Sequence, residues 1–154
     1  MQPIRRRPAH HVPVEKDNRA ILLMVTACSK DRKRIFTKTS AAEAVLCAWE
    51  SHLAWQVGRY VFMPDHIHFF CTPGDIPVPS LTAWMKAWKS AVSRKWPEPA
   101  NQPIWQIGFW DRQLRDEEHY GRRWEYVRQN PVRAGLCNGP DKWPWQGELN
   151  ILEW

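Results

Sequence analysis

The sequence has no long apolar run: its longest, Ala20 to Val25, is far too short to cross a bilayer. Its start carries no secretory apolar segment. The four cysteines, Cys28, Cys47, Cys71 and Cys137, never fall in C-x-x-C spacing. They are expected as small buried hydrophobes in a reducing cytoplasm. Internal repeats and low-complexity stretches are missing too. Membrane and secreted proteins are therefore not expected, and a cytoplasmic one is.

What is present points toward a basic, tryptophan-rich single domain. At 154 residues the chain suffices for one real core. It carries 22 Lys and Arg against 16 Asp and Glu, a net charge of +6, which favours a polyanionic partner. Eleven tryptophans are many for this length. Each either fills core volume or offers a stacking platform for an unpaired base. Residues 1–19, with Arg5, Arg6 and Arg7, lack periodicity and are expected as an extended basic arm, and residues 137–154 as a C-terminal tail.

Between these ends the pattern alternates strands and helices. Ala20 to Ala27 is expected as a buried strand, and Thr39 or Ser40 as the cap of a helix from Ala41 to about Leu53. Trp55 to Phe62 and His66 to Thr72 form a hairpin around Pro64-Asp65. Ser80 caps a helix from Leu81 to about Trp96, with Lys86, Lys89, Arg94 and Lys95 around its outer faces. Ile104 to Leu114 is expected as a last, irregular strand. A helix follows from about Asp116 to Asn130, where Pro131 stops it. The order β-α-β-β-α-β plus a helix is the α+β, ferredoxin-like split βαβ plan, which by itself names no function.

Chemistry concentrates in two segments. Strand side chains alternate, so His66 and His68 share a face while Ile67 and Phe69 take the other. Two adjacent imidazoles can grip a divalent cation, although an H-x-H pair also occurs as ordinary core or edge histidines. In the last helix Tyr126 and Asn130 stand four apart on one face, with His119 two turns earlier. Asn130, or its neighbour Gln129, offers an amide oxygen; an oxygen ligand beside two histidines turns preference toward Mn²⁺ or Mg²⁺. Tyr120 lies on a different face and is the weaker nucleophile. Taken alone, Tyr126 reads better as a packing residue beside Trp124 and Val127.

Met63-Pro64-Asp65-His66-Ile67-His68 resembles the HUH metal motif of the small single-tyrosine transposases. The run from Tyr126 through Asn130-Pro131-Val132-Arg133-Ala134-Gly135-Leu136 resembles the signature of the REP-associated tyrosine transposases among them. Further likeness lies in Ile104-Trp105-Gln106, Phe109-Trp110-Asp111-Arg112, Leu114 to Glu118, and Lys142-Trp143-Pro144-Trp145. The resemblance implies a Mg²⁺ or Mn²⁺ enzyme of the bacterial nucleoid. It would cut and rejoin single-stranded DNA near palindromic hairpins through a 5′-phosphotyrosine link. Carried over by position, His66 and His68 are metal ligands, Asn130 the third ligand and Tyr126 the nucleophile. Both a monomer and a homodimer fit the resemblance.

Arg5, Arg6, Arg7, Lys86, Lys89, His119, Arg122 and Arg123 are the candidate DNA contacts, with Arg128 and Arg133 beside them. Such contacts to phosphate position a strand without reading its sequence. Two alternatives compete with the transposase chemistry. One is a non-catalytic hairpin-binding protein on the same fold; the other is a nuclease using activated water, with Tyr126 only structural.

Overall fold

The computed structural model describes residues 21–74 and 78–153. The basic arm with Arg5, Arg6 and Arg7 lies outside the described residues. Nine regular elements follow in chain order: β1 (Leu23–Cys28), α1 (Thr39–Ser51), β2 (Trp55–Phe62), β3 (His66–Pro73), α2 (Leu81–Arg94), β4 (Trp110–Gln113), α3 (Glu117–Arg128), α4 (Asn130–Arg133) and β5 (Gln146–Glu148). The sheet order is β4-β1-β3-β2-β5, and every neighbouring pair is antiparallel. Its first four strands are the split βαβ arrangement; β5 extends it beyond β2.

Alternation along each strand divides the apolar residues between two cores. Val25 and Ala27 of β1, with Ile67, Phe69 and Cys71 of β3, meet Val45 and Trp49 of α1 and Trp84, Met85 and Trp88 of α2. The opposite face carries Leu22, Val61 and Phe70, packed on Tyr120 and Val127 of α3 and on Trp143 and Leu152 near the C-terminus. A register shift between Val57 and Tyr60 lets both residues serve the first core although their parity differs. Gly58 sits at that bulge, where an added Cβ would come within 2.7 Å of the Leu152 side chain.

Tryptophan supplies much of the first core. Trp88 is wholly buried and stacks nearly parallel to Trp49 at 5.5 Å and to Trp84 at 6.3 Å. No tryptophan among the described residues is exposed, so core filling accounts for them better than base stacking does. Trp88→Ala is expected to cost about 3–5 kcal/mol by urea unfolding. A loss below about 1 kcal/mol would mean that the stack collapses to refill the gap.

Local signals placed some boundaries and missed others. Ser80 caps α2 by accepting from the Ala83 amide, and Asp116 caps α3 by accepting from the His119 amide. The α1 cap position is Lys38, with no side-chain cap bond, rather than Thr39 or Ser40, and the helix ends at Ser51. Of the strand expected over Ile104 to Leu114, only Trp110–Gln113 pairs continuously with β1. Before it, Trp105 makes an isolated bridge to Ser29, and Gly108 turns the chain at φ +80°. Pro131 interrupts the last helix but does not end helical structure. It occupies the first turn of α4, where a missing N–H costs nothing. The segment after residue 136 adds β5 and buries Trp143 and Leu152, so most of it is part of the fold.

Candidate active site

The turn before β3 is locked from several sides. Met63 N–H donates to His66 O at 2.8 Å, closing the hairpin. Pro64 O accepts from the Ile35 and Phe36 amides, and Asp65 O from the Ser29 amide and hydroxyl. This fixes the Asp65 carboxylate beside His66. Burial works to raise the Asp65 pKa, yet hydrogen bonds from Arg32 and His66 outweigh it and hold the carboxyl below its usual range. Arg32 Nε donates to Asp65 Oδ2 at 2.8 Å, and His66 Nδ1 stands 2.7 Å from Oδ1. With Nδ1–H donating there, Arg32 Nη2 at 3.4 Å from the same nitrogen is a neighbour rather than a donor to it. Asp31 and Arg32 both take positive φ, 57° and 54°. Two consecutive non-glycine residues in that region carry strain, and here they aim Arg32 at Asp65.

His68 is held from the next strand. The register pairs it with Thr26, whose Oγ1 lies 2.8 Å from Nδ1. The imidazoles sit 4.8 Å apart, edge to face. With partners at both Nδ1 atoms, each Nε2 is left to face a cation; the Asp65 carboxylate, an acceptor only, fixes the His66 tautomer, while the Thr26 hydroxyl orients the His68 ring. Burial lowers the pKa of His66, and burial with the charges of His66, Arg133 and Arg32 pushes His68 down to about 3. Both rings are therefore neutral at pH 7, as ligands must be. Among the described residues, no group of three His, Cys, Asp or Glu side chains stands together to hold an ion. The donor set thus fits a divalent cation only if an amide or another oxygen completes it.

Helix α3 lies on this same sheet face. Phe70, two residues beyond His68, packs on Tyr120 at 5.0 Å and Trp124 at 6.1 Å. Docking through Tyr120, Trp124 and Val127 leaves Tyr126 outward, 57% exposed. Arg133 stands 4.0 Å over its ring, and donates to Tyr126 O and Asn130 Oδ1. The charge of the same guanidinium also acts to lower the His68 pKa. Gln129 turns aside, its Nε2 donating to Glu125 at 3.0 Å. Tyr120 is only 8% exposed, and its hydroxyl is buried with no hydrogen-bond partner among the described residues.

The basic candidates separate. Lys89 Nζ donates to Gln106 O at 3.1 Å and also to Gly108 O, and lies 5.7 Å over Trp105. Burial lowers its pKa to about 8. It ties the irregular approach to β4 onto α2, whereas Lys86 is exposed on the outer face of that helix. His119, Arg122 and Arg123 line an open cleft of about 480 Å³ together with Tyr126, Arg112, Arg115 and Asp116. Sequence reasoning missed Thr26, Asp65, Arg32, Arg112 and Arg115. Asp65 adjoins His66, a usable signal; Thr26 and Arg112 emerge only from strand register.

No helix among the described residues is long and apolar enough to cross a membrane. Residues 19–127 match the profile of the IS200-like transposases. A REP-associated tyrosine transposase of Escherichia coli K12 is 25% identical over 93 residues, covering 59% of this chain and 53% of that protein. A Haemophilus influenzae relative with a provisional designation of the same kind is 24% identical over 107 residues, covering 61% and 59%. The chain therefore spans between about half and three fifths of the length of these curated relatives. Its fold matches the structure of a REP-associated tyrosine transposase bound to a REP hairpin, with TM-score 0.68 and 18% identity, over 95% of this chain and 82% of the other. With the profile covering well over half of the sequence, the chain belongs to the IS200-like transposase family.

Proposed function

We propose that this chain cuts and rejoins single-stranded DNA at hairpin-forming repeats, with Tyr126 as the covalent nucleophile. The observation that carries the reading is the exposed Tyr126 phenol under the Arg133 guanidinium, on the sheet face that also carries the paired imidazoles. In the cutting step the Tyr126 oxygen forms a bond to the scissile phosphorus and the bond from phosphorus to the 3′ oxygen breaks. The phenolic proton leaves to solvent and the departing 3′ oxygen gains one. The 5′ end remains on the protein, and a free 3′ hydroxyl reverses the step onto the same or another strand. Arg133 stacks on the ring and grips the Tyr126 carbonyl, fixing the phenol's direction before the strand arrives. Asp65 keeps the His66 imidazole in one tautomer, and Thr26 holds the His68 ring in place.

His66 Nε2, His68 Nε2 and the Asn130 amide oxygen would hold Mg²⁺ or Mn²⁺. Such an ion supplies charge neutralisation and polarisation at the scissile phosphate. To serve there, Asn130 must exchange its bond from Arg133. Histidines with the ordinary pKa of about 6.5 lose a bound cation as protons compete below that pH. Here both pKa values are lowered, so the neutral form persists further into acid. Mn²⁺ affinity is therefore expected to fall between about pH 7.5 and about pH 6 by clearly less than the roughly ten-fold that two ordinary histidines would give. In an electron paramagnetic resonance titration, a loss of about four-fold would show that one imidazole titrates normally, and one of about ten-fold or more that both do.

The direct test is incubation of end-labelled hairpin DNA with Mn²⁺, followed by a denaturing gel. Label migrating with the protein is expected. Cut DNA without an adduct would replace this mechanism with water attack, and no cutting on any repeat hairpin would favour a protein that only binds.

A further inference from the structure

The cleft beside Tyr126 is unusual in its charge. Arg112 of β4, Arg115 of the following turn, and Arg122 and Arg123 of α3 line it, against a single carboxylate, Asp116. That carboxylate is already occupied, capping α3 through the His119 amide. Arg122 is paired outward with Glu118 at 2.8 Å. Arg112, Arg115 and Arg123 have no carboxylate partner among the described residues. Gathering like charges without relief costs free energy, and a chain that does so leaves the relief to a ligand of opposite sign.

The lining is ordered in space. The register sets Arg112, Met24 and Phe70 in one row across β4, β1 and β3, and Trp110, Thr26 and His68 in the next. Arg112 therefore stands on the histidine face, one row along from His68. On α3, positions 119, 122, 123 and 126 follow helical spacing and form one stripe running to Tyr126. The cleft thus connects the β4 edge to the phenol.

His119 adds a neutral donor within the stripe. It is only 9% exposed, and its Nδ1 accepts from the Arg115 amide at 3.2 Å. That bond leaves the ring hydrogen on Nε2, which no protein group among the described residues accepts. Burial lowers its pKa, and Arg112, Arg123 and Arg122 push it the same way.

From this arrangement we infer that the β4–α3 cleft is a phosphodiester-binding site, seating the sugar-phosphate backbone of the strand beside the phosphate attacked by Tyr126. Arg112, Arg115 and Arg123 provide charge, His119 Nε2–H provides one neutral hydrogen bond, and Asp116 keeps the stripe in place. The cleft binds the backbone without a cation and without selecting bases. The identity of the polyanion as single-stranded DNA rests on the proposed function; the anion site itself does not.

The test uses the full chain carrying Tyr126→Phe, in EDTA, so neither cutting nor cation binding enters. Fluorescence anisotropy follows binding of a labelled oligothymidylate from about 50 to about 200 mM salt. Arg112→Ser with Arg123→Ser should weaken binding at low salt by at least about ten-fold. It should also reduce the magnitude of the salt slope by about 1.4, two phosphate contacts on a single strand. Arg115→Ser, expected to reduce the slope by about 0.7, supplies an independent variant should the pair fail to fold. Unchanged affinity and slope in folded variants would overturn the site. So would loss of slope in Lys86→Ser instead, which would move the strand to the outer face of α2. Binding through these arginines, together with a parent chain that forms no adduct on hairpin DNA in Mn²⁺, would keep the cleft and remove the tyrosine chemistry.

Discussion

Tyr126→Phe is expected to abolish the covalent protein–DNA adduct and lower strand cleavage by at least about a thousand-fold, the scale of losing a nucleophile. Folding should hardly notice. The phenol is more than half exposed, and its contacts with Arg133 run through the ring and the backbone carbonyl. Phenylalanine keeps both. The melting transition should therefore correspond to a stability change within about 0.5 kcal/mol of the parent. Mn²⁺ binding should also persist, because no proposed ligand is touched. Two results would sink the assignment, each in its own way. Cutting that continues without adduct would assign the nucleophile to water. An adduct that survives would require another tyrosine, and Tyr120 would need to leave its packing against Phe70 to supply it.

Local chemistry in the sequence located the histidine strand well. An alternating run after Pro-Asp places His66 and His68 together because a strand has period two, and nothing distant can change that. Ser80 was legible as a cap on the same local ground, whereas Asp116, expected inside the first turn, is the cap of α3. What supports the histidines was not legible. Thr26 lies 42 residues from His68 and meets it only through the antiparallel register of β1 with β3. Arg32 reaches Asp65 because two consecutive residues, Asp31 and Arg32, take left-handed conformations, which is uncommon for arginine.

Charge was misread where burial decides. Lys86 and Lys89 look alike in sequence, three apart on one helix. Yet Lys89 spends its ammonium on two backbone carbonyls of the loop before β4. The two arginines most informative for the cleft, Arg112 and Arg115, sit in a short strand and a turn where charge has no pattern to read. Register with Met24, not composition, gives Arg112 its place. The C-terminal segment shows the same limit. Gln146–Glu148 is too short to announce a strand, and it becomes one because β2 offers an open edge.

His68→Ala is the second change with a large expected effect, and it separates cation binding from strand binding. Removing this ring takes away one of two imidazole donors, so Mn²⁺ affinity should fall by more than about 100-fold, beyond what losing a supporting hydrogen bond costs. Cleavage should fall with it. The substitution also leaves Thr26 Oγ1 without its partner and opens space beside Val61, its neighbour across the β2 register. A stability loss of about 1–3 kcal/mol follows from those two terms, small enough for the domain to stay folded in a melting experiment. Strand binding in EDTA should remain within about two-fold of the parent, since Arg112 and its partners stand one row away and carry the phosphate contacts. Tyr126→Phe should give the complementary result, with cation bound and chemistry lost. If His68→Ala instead left the Mn²⁺ titration unchanged, the paired imidazoles would be a hydrogen-bonded part of the sheet face, and the cation would have to be sought elsewhere.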